Sequence, residues 1–197
     1  MDYWTNILDE ESLKYNLEFT AIFVMFYECF KDYIVNQVKG FYCDIPEIED
    51  GELVYCETEE YKREVRALDS KHLDNASLKW FLQFKVISQE DYENYQLIRK
   101  RRNSLTHETL KNLCEGFDES DVQLFIILKN LYTKIDKWWI NEIEIPIAGD
   151  DVPEDYDEDG VCGLQSLALS IITDIVLGDN GEKYKEILKE LYSMQCE

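Results

Sequence analysis

The sequence predicts an all-α protein, a helical bundle of about five to six helices, and three observations carry that prediction. Apolar residues recur at three- and four-residue spacing along most of the chain. Alternating, strand-like patterning is scarce and no internal repeat stands out. Residue types that start and stop helices sit where the helical period begins and ends.

The first helix is expected from about Glu11 to Lys39. Phe19, Phe23, Phe26, Phe30 and Tyr33 share one face of it, and Gly40 supplies a C-terminal stop. Residues 41–60 lose the period, contain Pro46 and Gly51, and read as a loop or short hairpin. Helical spacing returns with Leu78, Phe81, Leu82 and Lys85, opening near Asn75. Ser88 and Asp91 form a capping signature for a helix running to about Thr106. Leu124, Leu128, Leu131, Ile135 and Trp138 mark a long helix from about Glu119, expected to end before Pro146. Trp138 and Trp139 are adjacent, so only one can face the core. Leu164, Leu167, Ala168, Ile171 and Ile175 give a fifth helix, and Tyr184, Ile187, Leu188 and Leu191 a sixth. The chain then divides into a bundle over 1–145, an acidic loop over 146–162, and a C-terminal helical pair over 163–197 that packs on the bundle.

Composition narrows the class. Of the 197 residues, 45% are hydrophobic, which suits a packed core rather than disorder despite a formal charge of −22. The opening "MDYWTNILDE" has no cationic region of the kind that starts a signal peptide. The longest apolar run, "FTAIFVMFY", is about half what a membrane helix needs. These features predict a cytoplasmic protein with no membrane partner. The six cysteines are scattered without a C-x-x-C pair, so no thiolate metal site is expected. No cofactor is expected either.

The informative stretch is "RKRRNSLTHE", residues 99–108, which holds three of the five arginines and one of the two histidines. Tyr95, Ile98, Leu105 and Thr109 fall on one helical stripe, and Arg102 falls inside it. An unpaired guanidinium is costly to bury, so Arg102 needs an anion, a carboxylate or an interface. A helix C-terminus favours cations, which accounts for Arg99, Lys100 and Arg101 but not for Arg102. In one unbroken helix His107 lies roughly 140° around from Arg102. The two converge only if the helix ends or bends near Thr106, if Arg102 reaches far, or if a second subunit contributes. Asn103 and His107, four residues apart, share a face.

The segment Arg102-Asn103-Ser104-Leu105-Thr106-His107 resembles the R-x(4–6)-H signature of HEPN domains, in the form where Asn follows the Arg. Its setting at the end of one bundle helix, between two long amphipathic ones, is similar as well. Arg101 also satisfies the spacing, but its neighbour Arg102 carries the Asn and lies on the apolar stripe. The resemblance implies an endoribonuclease that uses no metal, of the kind found among toxins and antiviral defence effectors. It also implies a homodimer in which both motifs line one composite cleft, and an RNA substrate. Within it His107 would transfer protons, Arg102 would hold the phosphate, and Asn103 would orient one or the other; Arg99, Arg101 and Thr106 would be further substrate contacts. The related R-x4-H-x-Y pattern ends in a tyrosine, where this chain has Thr109, so an antitoxin that modifies that tyrosine does not fit. A different antitoxin or a defence-complex partner remains an expectation.

The acidic stretch "GDDVPEDYDEDG", residues 149–160, has the D-x-D-x-D-G opening of a calcium loop in Asp155, Asp157 and Asp159. The twelfth position, where a bidentate Glu belongs, is Ser166, so a solvated acidic linker is the stronger expectation. Two other functions compete with the nuclease: a HEPN-like regulatory or assembly subunit without catalysis, and an acidic interaction protein that mimics nucleic acid. The last predicts Arg102 locked in an internal ion pair.

Overall fold

The computed structural model describes residues 4–43, 45–49, 52–149, 152, 155–178, 181, 183 and 184. It is mostly helical, as the pattern predicts. After a single turn α1 (Thr5–Leu8), the chain enters α2 (Glu10–Phe41), the axis of the molecule. Asp9 starts α2 by accepting a hydrogen bond from the Ser12 amide at 2.9 Å. The helix runs through Gly40 and closes at Tyr42, slightly beyond the predicted stop. Its buried set is broader than the predicted stripe, adding Ile22, Tyr27, Ile34 and Val38 to the phenylalanines. The breadth follows from its surroundings, because α4 (Leu73–Gln83), α5 (Gln89–His107), α7 (Glu119–Trp139) and α9 (Leu164–Gly178) all pack against it. Edge-on aromatic contacts such as Phe26–Tyr132 and Phe30–Tyr95 lock these helices together.

The 41–60 region forms the hairpin: β1 (Glu47–Glu49) pairs antiparallel with β2 (Glu52–Val54). A short helix α3 (Glu59–Glu64) and a single 3-10 turn lead to α4. α5 opens with a full capping box between Ser88 and Asp91. It ends at His107, where Asn112 Nδ2 captures the Ser104 and Glu108 carbonyls at 2.9 Å each. Asn112 lies on α6 (Thr109–Glu115), which stops at Gly116 with φ +76°, a backbone state that favours glycine.

In the C-terminal third α7 ends at Trp139, before Pro146 as expected, but the chain stays helical beyond it, through a wide π turn at Ile140–Glu144 into α8 (Ile145–Ala148), whose first turn holds Pro146. One expectation is corrected, since the predicted apolar stripe of α9 is turned outward: Leu164 is 84% exposed, and Leu167 and Ile175 are exposed too. The buried face is Ser166, Leu169 and Thr173. The cause is Asp136, a buried carboxylate on α7. It accepts from the Ser166 hydroxyl at 2.8 Å, the Gly163 amide at 2.8 Å and the Tyr33 hydroxyl at 2.9 Å. A buried charge must be hydrogen-bonded, and that requirement sets the rotation of α9 ahead of apolar burial. Of the tryptophan pair, Trp139 is in the core and Trp138 is half-buried on the flank against Phe81. Ile187, Leu188 and Leu191 of the predicted sixth helix lie outside the described residues.

The acidic stretch folds back on the end of α7. Lys137 Nζ donates to the Asp159 carbonyl, and Asn141 Nδ2 donates to the Glu158 carbonyl at 3.2 Å. Ser166 is committed to Asp136 rather than presented to the acidic loop. Among the described residues no helix is long and apolar enough to cross a membrane.

Candidate functional site

α5 presents its basic run to two different walls. Arg101 faces α7 and α6. Its guanidinium grips Asp121 with two bonds, Nε to Oδ1 at 2.5 Å and Nη2 to Oδ2 at 3.0 Å. A third bond, Nη1 to Asn112 Oδ1, is 2.5 Å, and the group lies over the Phe117 ring. Arg101, read from sequence as a substrate contact, is thus engaged internally, where it borders a separate concavity between α5 and α7 that Lys100 also lines.

Arg102 faces α2. Nη2 donates to Glu28 Oε1, Nη1 donates to Asn103 Oδ1 at 3.0 Å, and the guanidinium sits over the Tyr27 ring at 5.4 Å. Its Nε is buried and has no hydrogen-bond partner among the described residues. Glu28 is shared, since its Oε2 also accepts from Lys31 Nζ at 2.9 Å. The need for an anion that the sequence assigns to Arg102 is therefore met in part, by a carboxylate 74 residues earlier in the chain.

Arg99 faces the start of α4. Nη2 donates to His72 Nδ1 at 2.8 Å, and Nε stands 3.9 Å from Asp74 Oδ2. Asp74 is buried and accepts from the Tyr95 hydroxyl at 2.8 Å, which in turn lies 3.0 Å from the Tyr27 hydroxyl. Burial pushes both tyrosine hydroxyls above their ordinary value, Tyr95 far above it, so both remain neutral hydrogen-bonding groups near pH 7. A polar chain thus runs from the core through Asp74 to Arg99 and His72.

These side chains enclose a cleft of about 420 Å³ between α2, α5 and the first turn of α4, lined by Lys31, Lys71, His72, Arg99, Arg102 and Asn103. Four Lys or Arg side chains meet two lining carboxylates there, Asp32 and Asp74. The whole chain has the opposite balance, 42 acids against 20 Lys and Arg. With Glu28, which pairs with Arg102 and Lys31, four cations face three carboxylates, so the cleft departs from the acidic balance of the chain and can receive an anion.

The remaining candidates lie apart. His107 is the last residue of α5, exposed, and makes no hydrogen bond or ion pair among the described residues. It is not among the residues lining the Arg102 cleft. Thr106 is exposed, and its hydroxyl bonds back to the Arg102 and Asn103 carbonyls at 3.2 and 3.1 Å. The histidine that does share the cleft is His72, which sequence reasoning passed over. Its sole local signal is a position just before a helix start. Lys31, Lys71 and Asp74 were missed for the same reason: they reach the cleft from segments distant in sequence.

No protein-family model, no curated protein and no solved structure matches this chain.

Proposed function

We propose that the chain is an endoribonuclease that uses no metal, with Arg102 and Asn103 gripping the scissile phosphodiester and His107 transferring protons, two copies pairing around one RNA strand. In this reaction the ribose 2′-oxygen bonds to phosphorus and the P–O5′ bond breaks. The 2′-hydroxyl proton passes to a base and the departing 5′-oxygen takes one up. The products are a 2′,3′-cyclic phosphate and a 5′-hydroxyl. Arg102 suits the growing charge on the phosphate oxygens because a guanidinium presents a fork of donors in fixed geometry. Histidine as a residue type changes charge near neutrality and so serves proton transfer. His107 stands exposed at the end of its helix, where a second subunit's cleft can meet it.

The observation that carries the reading is Arg102 on the wall of a cleft with four Lys or Arg side chains, its guanidinium only partly matched and its buried Nε without a partner among the described residues, in a chain with charge −22. Buried donors are satisfied in the great majority of folded proteins, so a guanidinium serving the internal pair alone would be expected to have every buried donor matched. The internal ion pair with Glu28 is what the acidic interaction protein was expected to show, and it favours a second reading, in which Arg102 ties α5 to α2 and the bundle is a non-catalytic interaction or assembly protein.

The test is incubation of the purified protein with total tRNA and a mixed single-stranded RNA in EDTA, beside an Arg102→Ala/His107→Ala double variant. The nuclease reading expects cleavage by the wild type alone, with cyclic-phosphate ends. Equal cleavage by both proteins sinks it. Cleavage by neither supports the assembly reading.

A further inference from the structure

We propose that His72, Arg99 and Lys71 form a phosphate-binding subsite beside Arg102, so that the cleft holds two neighbouring phosphates of one nucleotide chain. The subsite itself stands on the cleft's geometry; only the nature of its ligand as RNA rests on the ribonuclease reading.

The first argument is the state of His72. A guanidinium can only donate, so the 2.8 Å contact from Arg99 Nη2 requires a lone pair on His72 Nδ1. The ring proton then sits on Nε2, which becomes a fixed donor. Phosphate oxygens accept, and a fixed donor beside a guanidinium is complementary to them.

The second argument is that Arg99 is anchored from behind. Asp74 stands 3.9 Å from Nε and is itself held by Tyr95. The side Arg99 turns to the cleft therefore does not depend on ligand to stay in place, and preorganisation of this kind is what separates a built site from a loose surface charge. Asp74 does oppose part of the Arg99 charge, and Asp32 faces the same cleft.

The third argument concerns how Lys71 and His72 are presented. Asp69 Oδ1 accepts from both backbone amides, at 3.2 Å from Lys71 and 3.1 Å from His72, which fixes the turn before α4. The Lys71 ammonium has no carboxylate partner among the described residues, in a chain with twice as many acids as bases. His72 holds the N-cap position of α4 without making a side-chain cap, so the helix's first turn brings a partial positive charge to the same place, offset by Asp74 in that turn.

The experiment exploits a convenience of composition: the chain has only two histidines. The imidazole proton resonances are assigned with His72→Ala and His107→Ala, then followed in the wild type at constant pH and ionic strength. Inorganic phosphate and a short 2′-O-methyl oligonucleotide, which cannot be cleaved by 2′-oxygen attack, are the two probes. The proposal expects both probes to move the His72 signals with saturation, while phosphate leaves His107 in place. Loss of one charge-assisted contact weakens binding about tenfold, so Lys71→Ala and Arg99→Lys should each raise the half-saturating phosphate concentration by about that factor. His72 signals unmoved by both probes, or titrations unchanged in both variants, overturn the subsite. An oligonucleotide at least about tenfold tighter than phosphate, as added contacts predict, identifies a nucleic-acid backbone as the ligand. Saturating phosphate binding with no such gain keeps the subsite and removes the ribonuclease reading instead.

Discussion

Arg101 and Arg102 are neighbours in sequence and opposites in structure: Arg101 clamps Asp121 on α7, and Arg102 leans on Glu28 of α2 from the wall of the cationic cleft. Asp121 is nearly enclosed, with 11% of its side chain exposed, so removing Arg101 leaves a buried carboxylate without its partner. Breaking such a pair costs about 3 kcal/mol. The Arg102–Glu28 pair is more open, at 26% and 31% exposure, and pairs of that kind contribute about 1 kcal/mol or less. Urea unfolding should therefore show a large loss of stability for Arg101→Ala and a small one for Arg102→Ala. Phosphate binding should show the reverse order wherever the Arg101 variant remains folded. Equal losses of stability would contradict this division of roles.

Asp136 sets a second prediction. A methyl group added at Gly163 would lie 2.5 Å from Asp136 Oδ1, and that carboxylate is held by three donors and cannot swing aside freely. Gly163→Ala should destabilise the fold by about 1–3 kcal/mol, the usual range for forcing atoms into a packed interior. Intrinsic fluorescence of the four tryptophans, with Trp80 and Trp139 buried in the core, reports it during denaturation. An unchanged midpoint would mean that α9 docks without the Asp136 network.

The pH dependence has a definite sign. Burial pushes the Asp91 carboxyl up, but bonds from Lys134 and from the Ser88 amide and hydroxyl outweigh it and hold the group below its ordinary value. Bonds from the Ser120 hydroxyl and the Asp121 amide do the same for Asp118. A carboxylate whose folded value is depressed stabilises the protein above its unfolded value, near 3.8, and loses that contribution as pH falls through the folded value. Thermal midpoints should hold steady from pH 7 to about 5 and drop below about 4. The double variant Asp91→Ala/Asp118→Ala should start lower at pH 7 and drop less. An identical drop in both proteins would assign acid unfolding to other groups.

The sulfurs of Cys43 and Cys56 stand 3.0 Å apart, one buried behind α2 and one exposed after β2. Treatment with a small disulfide such as oxidised glutathione should join them, two thiols being oxidised as one reagent disulfide is reduced to two thiols. The crosslink would close a short loop around the hairpin and raise the thermal midpoint. Peptide mapping checks the linkage; finding both cysteines separately capped by reagent would contradict the geometry.

What could be read from the sequence was what local pattern determines. The aromatic period of α2 and the capping box at Ser88 act within a few residues of themselves, and both appear where the pattern places them. The facing of α9 could not be read, because its apolar period was overruled by a carboxylate about thirty residues earlier that needed Ser166 and Gly163 as donors. The site divides in the same way. Arg102 was legible as a charge on an apolar stripe, but with 42 acidic residues in the chain nothing marked Glu28 as its partner. His72 was illegible because its role exists only once α4 starts beside Arg99, 27 positions away.

The most direct test of the central claim is a mixing experiment. Arg102→Ala and His107→Ala proteins are prepared separately, assayed on single-stranded RNA in EDTA, then mixed in equal amounts and assayed again. Two copies sharing one cleft should leave each variant inactive alone. The mixture should recover up to about half of wild-type activity, since half of randomly formed pairs carry one intact Arg102 and one intact His107. If each variant alone cleaves as well as the wild type, or if the mixture stays inactive while the wild type cleaves, Arg102 and His107 do not work together across two copies.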